Sequence, residues 1–346
     1  MRRRFAVAVA GFAAAVLTAC SSGGDAATQV STAQGDELVA LAQQEGQVVW
    51  YAGSLQPAIE SVQRGFQEAY GIEVVVPERL SSAQLAQRID ADVRSTGALG
   101  ADVVQTADAA LSAYLRAEGY SAPLTADQFP GIAPEYMQGD GAVACAVVVP
   151  VVGYNTTGLT DLTIDSWDDL LDPRLGGRLM LVDPRGSGAW AQMYATLLED
   201  PRLGEGYLQR LGAQDQQPVA NSIVGSEQLV AGQGDVFVAG TPSILQAAVD
   251  SGQPIGYWYP TDPSPVSFTN CLISSAAQHP NAAKLFLQWL MTEEGQAALN
   301  IPDYTASALG DIPGATVPLP TEIARPAEPE RVQEQLPRIL ELLRLG

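Results

Sequence analysis

Residues 142–156 read AVACAVVVPVVGYNT. The stretch is strand-like for about thirteen residues, well beyond the usual strand of about 5–6. A strand that long outgrows one sheet. It predicts a chain that runs from one lobe into a second and breaks at Pro150, which has no N–H to give to a ladder.

On its N-terminal side the pattern alternates. DELVALAQQEG (36–46) reads as a helix with Asp36 as N-cap and Gly46 as stop. QVVWYA (47–52) is an apolar strand, and Gly53-Ser54 a turn. In PAIESVQRGFQEAYG (57–71), Ile59, Val62, Phe66 and Ala69 recur at helical spacing before Gly71. IEVVVP and ADVVQT are strands, separated by a helix with Leu85, Ile89 and Val93 on one face. ADAALSAYLRAEG is a further helix, and 120–141 is irregular.

On its C-terminal side the alternation resumes. SWDDLLD is a short helix, GRLMLV a strand, DPRGSG (183–188) a turn into the helix AWAQMYATLLED. QQPVA, DVFVAG and PIGYWYP are strands, with GSEQLVAGQ and TPSILQAAVDSG as helices, the latter with Thr241 at its N-cap. SFTNCLISS (267–275) is a strand that crosses back, two helices fill 280–300, and 330–345 is a helix kinked at Pro337. Strand–helix alternation with near-continuous apolar strands predicts an α/β fold of two lobes, each a mostly parallel sheet covered by helices. The expected division is 36–145 plus 268–300 for the first lobe and 146–267 plus 301–346 for the second.

The chain opens MRRRFAVAVAGFAAAVLTAC. Three arginines precede an apolar run from Phe5 to Leu17, thirteen residues where a bilayer span needs about 20. This predicts a secretory signal. Its end, Leu17-Thr18-Ala19-Cys20, resembles the lipobox of bacterial lipoproteins, which implies cleavage before Cys20 and a lipid on it. Residues 21–35 then form a flexible tether with a reach of roughly 20 Å.

Of 346 residues, 18 are basic and 39 acidic, a net charge of −21. Losing Arg2, Arg3 and Arg4 with the leader makes it −24. Such a charge opposes nucleic-acid and anionic membrane surfaces as partners. After export, Cys145 and Cys271 meet oxidising conditions and are expected to pair; two separate buried thiols are the alternative.

Catalytic chemistry finds little to work with. His279 is the single histidine and Lys284 the single lysine, so a Ser-His-Asp set would depend on a residue sitting at a helix start. No G-x-S-x-G, S-x-x-K, H-E-x-x-H or phosphate loop occurs. The expectation is a binding protein with no enzymatic activity and no cofactor.

In open parallel sheets, ligands sit at the carboxyl ends of strands. The loops there are Gly53-Ser54, Thr106–Asp108, Arg185–Gly188 and Gly240-Thr241. A Gly-Ser-Gly entering a helix offers backbone N–H groups to an anion. The candidate ligand residues are Ser54, Asp108, Tyr154, Ser187, Gly188 and Thr241. Ser54, Ser187 and Thr241 would donate to a polar or acidic group; Asp108 would take a cationic group or cap its helix. Tyr154, at the end of the crossing run, is the aromatic candidate.

The segments VVWYAGSLQPAIESVQRGFQEAYGIEVVV (48–76) and AQRIDADVRSTGALGADVVQTADAALSAYLRAEGY (86–120) resemble extracellular solute-binding proteins of the ferric-iron type. VGYNTTGLTDLTIDSWDDLLDPRLGGRLMLVDPRGSGAW (152–190) and HPNAAKLFLQWLMTEEGQ (279–296) extend the likeness. The resemblance implies a type II periplasmic-binding fold with a two-stranded hinge, and a cleft that closes on a small solute. It also implies delivery to an ABC importer's permease, with the protein acting as a monomer held to the membrane by its lipid. Iron-binding members place adjacent tyrosines after the strand matching DVFVAG, where this chain has Thr241-Pro242. A small polar or anionic organic solute is therefore expected. Ferric iron held by Tyr257 and Tyr259 is the first alternative, since alternation lets both face one side of a strand, and a non-transport structural lipoprotein is the second.

Overall fold

The computed structural model describes residues 31–159, 161–186, 188–260 and 262–346. The leader, Cys20, tether residues 21–30 and Ser187 lie outside the described residues. Among those described, no helix is long and apolar enough to cross a membrane.

Two five-stranded sheets carry the fold. The first has the order β2-β1-β3-β10-β4, built from β1 (Gln47–Tyr51), β2 (Glu73–Val75), β3 (Val103–Thr106), β4 (Val143–Val148) and β10 (Ser267–Ile273). β1 runs parallel to β2 and β3, whereas β10 is antiparallel to both its neighbours. The second sheet has the order β7-β6-β8-β5-β9. Its strands are β5 (Val151–Asn155), β6 (Leu179–Val182), β7 (Gln217–Val219), β8 (Val236–Gly240) and β9 (Ile255–Trp258). In each sheet the central parallel strands are buried along their length, as strands covered on both faces must be.

Helices α1 (Gly35–Glu45), α2 (Gln56–Tyr70), α9 (Pro280–Leu290) and α10 (Glu293–Asp303) cover one face of the first sheet. α3 (Ser82–Thr96) and α4 (Ala109–Ala117) cover the other. The buried residues Ile59, Val62 and Phe66 form the inward stripe of α2. The Phe66 ring stands edge-on to Phe286, with centroids 5.2 Å apart, and 5.5 Å from Trp289. Aromatic pairs of this kind contribute about 0.5–1.5 kcal/mol beyond the area they bury. The second sheet is covered by α5 (Gly188–Glu199), α6 (Gly204–Gly212), α7 (Ser222–Val230), α8 (Pro242–Asp250) and α11 (Pro329–Leu342).

The long run at 142–156 divides as its proline dictates. β4 belongs to the first sheet and β5 to the second, with Pro150 between them. The return leads from β9 in the second sheet to β10 in the first. A third pass follows α10. Ala306, Ala308 and Val317 still pack in the first core and Ala327 in the second, so this crossing falls later than residue 301. It lies beside the return crossing: the Ser264 N–H donates to the Glu322 carbonyl (3.3 Å) and the Ala324 N–H to that of Ser264 (2.9 Å).

Some local expectations shift. Asp36 lies in the first turn of α1, whose N-cap is Gln34, while Gly46 closes the helix in the left-handed conformation as expected. α6 has no counterpart in the sequence reading; Gly204, Gly206 and Gly212 mask the buried Tyr207, Leu208 and Leu211. The last tether residues are docked, not free: Lys284 Nζ donates to the carbonyls of Ser31 (2.7 Å) and Ala33 (2.8 Å).

A disulfide joins Cys145 on β4 to Cys271 on β10, spanning 126 residues of sequence. Replacing both cysteines by serine is expected to lower the unfolding free energy by about 2–5 kcal/mol. Urea denaturation measures this, and an unmoved midpoint would contradict it.

Candidate functional site

β1 and β3 end side by side, and the chain leaving them turns at Gly53-Ser54 and at Ala107-Asp108. A cavity of about 180 Å³ opens at these ends. Ser54, Gln105, Thr106, Asp303 and Thr305 supply its polar wall, and Val148 and Thr269 come from the strands nearest the hinge. Gln105 Nε2 donates to Ser54 Oγ at 2.9 Å, and Ser54 Oγ donates to Gln105 Oε1 at 3.1 Å, beside the Asp303 carboxyl. Asp303 Oδ1 accepts the Leu55 N–H at 2.7 Å. Arg79 Nε donates to the Ser54 carbonyl at 2.8 Å, fixing the turn from outside.

Asp303 is placed by α10, whose end packs against the start of α2. Burial pushes its carboxyl above the ordinary value; the Leu55 N–H, the Ser54 hydroxyl and the Arg79 charge offset part of this. An acid held this way is poorly solvated yet opens on a polar cavity, the environment in which functional groups concentrate.

The second lobe presents its own strand ends. α5 begins at Gly188, exposed and with open space where a Cβ would stand, and it approaches α4 and β10 across the gap. Arg185 is paired within its own loop. Its Nε and Nη2 bind Asp183 at 2.9 and 2.6 Å, and its guanidinium holds that carboxyl below the usual range. Thr241 follows β8 at the start of α8. Its N–H donates to Ser226 Oγ (2.8 Å), and its side chain makes no capping bond. A hydroxyl at an N-cap that does not cap is available to something else.

The remaining side chains near the strand ends are engaged with the protein itself. Asp108 caps α4, its Oδ1 accepting from the N–H groups of Ala110 (2.9 Å) and Leu111 (3.1 Å). Tyr154 does not reach the cleft. β5 is antiparallel to β8, so Val151 pairs with Gly240 at the cleft edge and Tyr154 with Val236 at the far end, about 10 Å away. Its ring lies over Gly256, where a Cβ would meet ring carbon at 2.5 Å. Trp50 and Tyr51 are core residues. The Tyr257 and Tyr259 rings meet edge to face at 5.7 Å, and Tyr257 hydrogen-bonds Gln246. Burial raises both phenols, so each carries its proton firmly, with Tyr304 close to both. Among the described residues, no group of three His, Cys, Asp or Glu side chains could hold a metal.

Gln105, Asp303 and Thr305 were missed in the sequence. Gln105 looks like one polar interruption in an apolar strand, and Asp303 like the tail of a surface helix; only the packing of α10 on α2 brings it to Ser54. A larger recess of about 530 Å³, lined by Lys284, Trp289 and Tyr70, lies on the first lobe. It is at the opposite end of α2 from Ser54, about 22 Å along the helix.

Two α/β lobes with strand-end loops turned toward a shared hinge define a type II periplasmic-binding fold. Residues 48–300 match the family described as bacterial extracellular solute-binding protein, and the chain belongs to that family. Membership places the protein outside the cytoplasm, among proteins that bind solutes. The solved structure of iron-bound HitA from Pseudomonas aeruginosa is similar at a TM-score of 0.67 and 21% identity, covering 86% of this chain and 98% of that one. The periplasmic binding protein AfuA from Actinobacillus pleuropneumoniae, with fructose-6-phosphate bound, is similar at a TM-score of 0.62 and 18% identity, covering 87% and 100%. An uncharacterized protein of Haemophilus influenzae is 26% identical over 152 residues, 42% of this chain and 43% of that relative. The chain thus spans under half the length of this curated relative.

Asp303 generates a pH signature. In the unfolded chain an aspartate titrates near about 3.9. The folded protein keeps the proton to higher pH, so stability falls as pH rises from the unfolded value through the folded one. Asp303→Asn, which keeps an acceptor for Leu55, is expected to melt above wild type at pH 7, with the gap closing toward pH 4. Parallel melting curves across that range check it; a variant less stable at pH 7 would contradict it.

Proposed function

We propose that the protein is the substrate-binding lipoprotein of an ABC importer, closing its two lobes on one small polar solute and presenting it to a permease. The observation that carries this is the polar cavity at the ends of β1 and β3, beside the hinge strands. The uncommitted Thr241 hydroxyl and the start of α5 on the second lobe support it. Ser54 and Thr241 are the proposed donors, joined by Ser187 and the Gly188 N–H at the start of α5, where an anionic group of the solute would be favoured. Asp108 serves its helix, with Oδ1 engaged there. Lipid on Cys20, carried through the tether, keeps a monomer at the membrane; acyl chains contribute about 0.8 kcal/mol per buried CH₂.

The ferric-iron reading rests on the Tyr257–Tyr259 pair and Tyr304 beside it. Iron there would have to displace phenolic protons that burial holds in place, and break the Tyr257–Gln246 bond.

Solution scattering with a broad panel of small solutes is expected to show a smaller radius of gyration and a raised melting temperature for one solute class. No response across the panel would sink the transport reading, and a visible charge-transfer band on adding ferric iron would replace the organic solute with the metal. Expression of Cys20→Ser is expected to release the protein from the membrane fraction, which immunoblotting of fractions measures.

A further inference from the structure

The cavity at the end of the first sheet has one ionisable residue in its wall, Asp303. Hydroxyls, an amide and apolar groups make up the rest, with no arginine, lysine or histidine among the lining residues. The nearest cation, Arg79, is exposed and spends its Nε on the Ser54 carbonyl from outside. On the other side, Asp303 is packed against the start of α2, from which Leu55 donates a single N–H. The neighbouring Ser54 hydroxyl donates to Gln105 Oε1 at 3.1 Å.

This is a carboxylate with acceptor capacity left over. Two carboxylate oxygens offer about four lone-pair sites, and among the described residues the Leu55 N–H is the one hydrogen-bond donor to them. A cavity of about 180 Å³ is smaller than the roughly 300–1,000 Å³ of a complete ligand pocket. It suits one polar head group, with the remainder of a solute reaching toward the second lobe. Burial disfavours the charged acid when the cavity is empty, and a cation entering it restores the balance. The strongly acidic chain adds a long-range field that draws cations toward the protein.

We infer that the solute carries a protonated amine, and that Asp303 is the counter-charge that selects it. This rests on the cleft being the solute site. A protonated amine supplies up to three donors where a hydroxyl supplies one, and hydrogen bonds to charged partners are roughly twice as strong as neutral ones. The group at the far end of the solute is left to the second lobe.

Matched probes test this: 2-aminoethyl phosphate against 2-hydroxyethyl phosphate, 4-aminobutyrate against 4-hydroxybutyrate, and 1,4-diaminobutane against 1,4-butanediol. They are titrated calorimetrically into the full mature protein, alongside the broad solute panel. In any pair that binds, the amine is expected to bind about tenfold tighter or better. In Asp303→Asn that preference is expected to fall to near equality. Equal binding of the two members by wild type would overturn the inference without reference to any variant. So would a panel ligand that lacks an amine and is indifferent to Asp303→Asn; both results leave solute capture standing. Absence of binding by every probe and panel solute would instead remove the transport reading and this inference with it.

Discussion

Backbone continuity across the hinge sets the terms for everything else. A strand that belongs to one sheet and continues into another carries its hydrogen bonds with it up to a single residue that cannot donate. In this chain that residue is Pro150, with β4 locked into the first sheet and β5 into the second. Both sheets are thereby held end to end, and the loops that follow their parallel strands face a common gap. The polar groups of those loops gather because the strands stop there, and the strands stop there because the chain crosses.

The chemistry of the gap follows from burial. Ser54 is 5% exposed and Gln105 1%, so neither is a surface group that happens to be polar. Each needs a partner, and they satisfy one another. Asp303 is the member whose needs are least met. In the second lobe, Arg185 is paired with Asp183 within its own loop. The two lobes therefore do not present mirror-image chemistry.

Much of the fold was legible because it depends on short-range signals. Glycines stop helices at Gly46 and Gly71 by taking the left-handed conformation, and Ile59, Val62 and Phe66 declare a buried face by spacing alone. The crossing run announced itself by length. The loops at strand ends were also legible, since strand direction alone fixes which end they occupy. What could not be read was anything set by antiparallel register or by packing between distant helices. Tyr154 went to the wrong end of its strand because sequence order says nothing of which way β5 points relative to β8. Asp303 reached the cavity through the contact of α10 with α2, which joins residues nearly 250 positions apart. Thr241 illustrates a subtler limit: its position at a helix start was clear, but not that its hydroxyl would leave the capping role unfilled.

The third crossing bears on how such a chain can be made. Ile339, Leu342 and Leu343, nearly 200 residues further along the chain, are buried in the core of the second lobe, whose first strand begins at Val151. A ribosome that has finished β5 through β9 has therefore not yet produced the residues that seal their core. Vectorial synthesis therefore leaves that lobe's core incomplete until the chain has been made through Leu343.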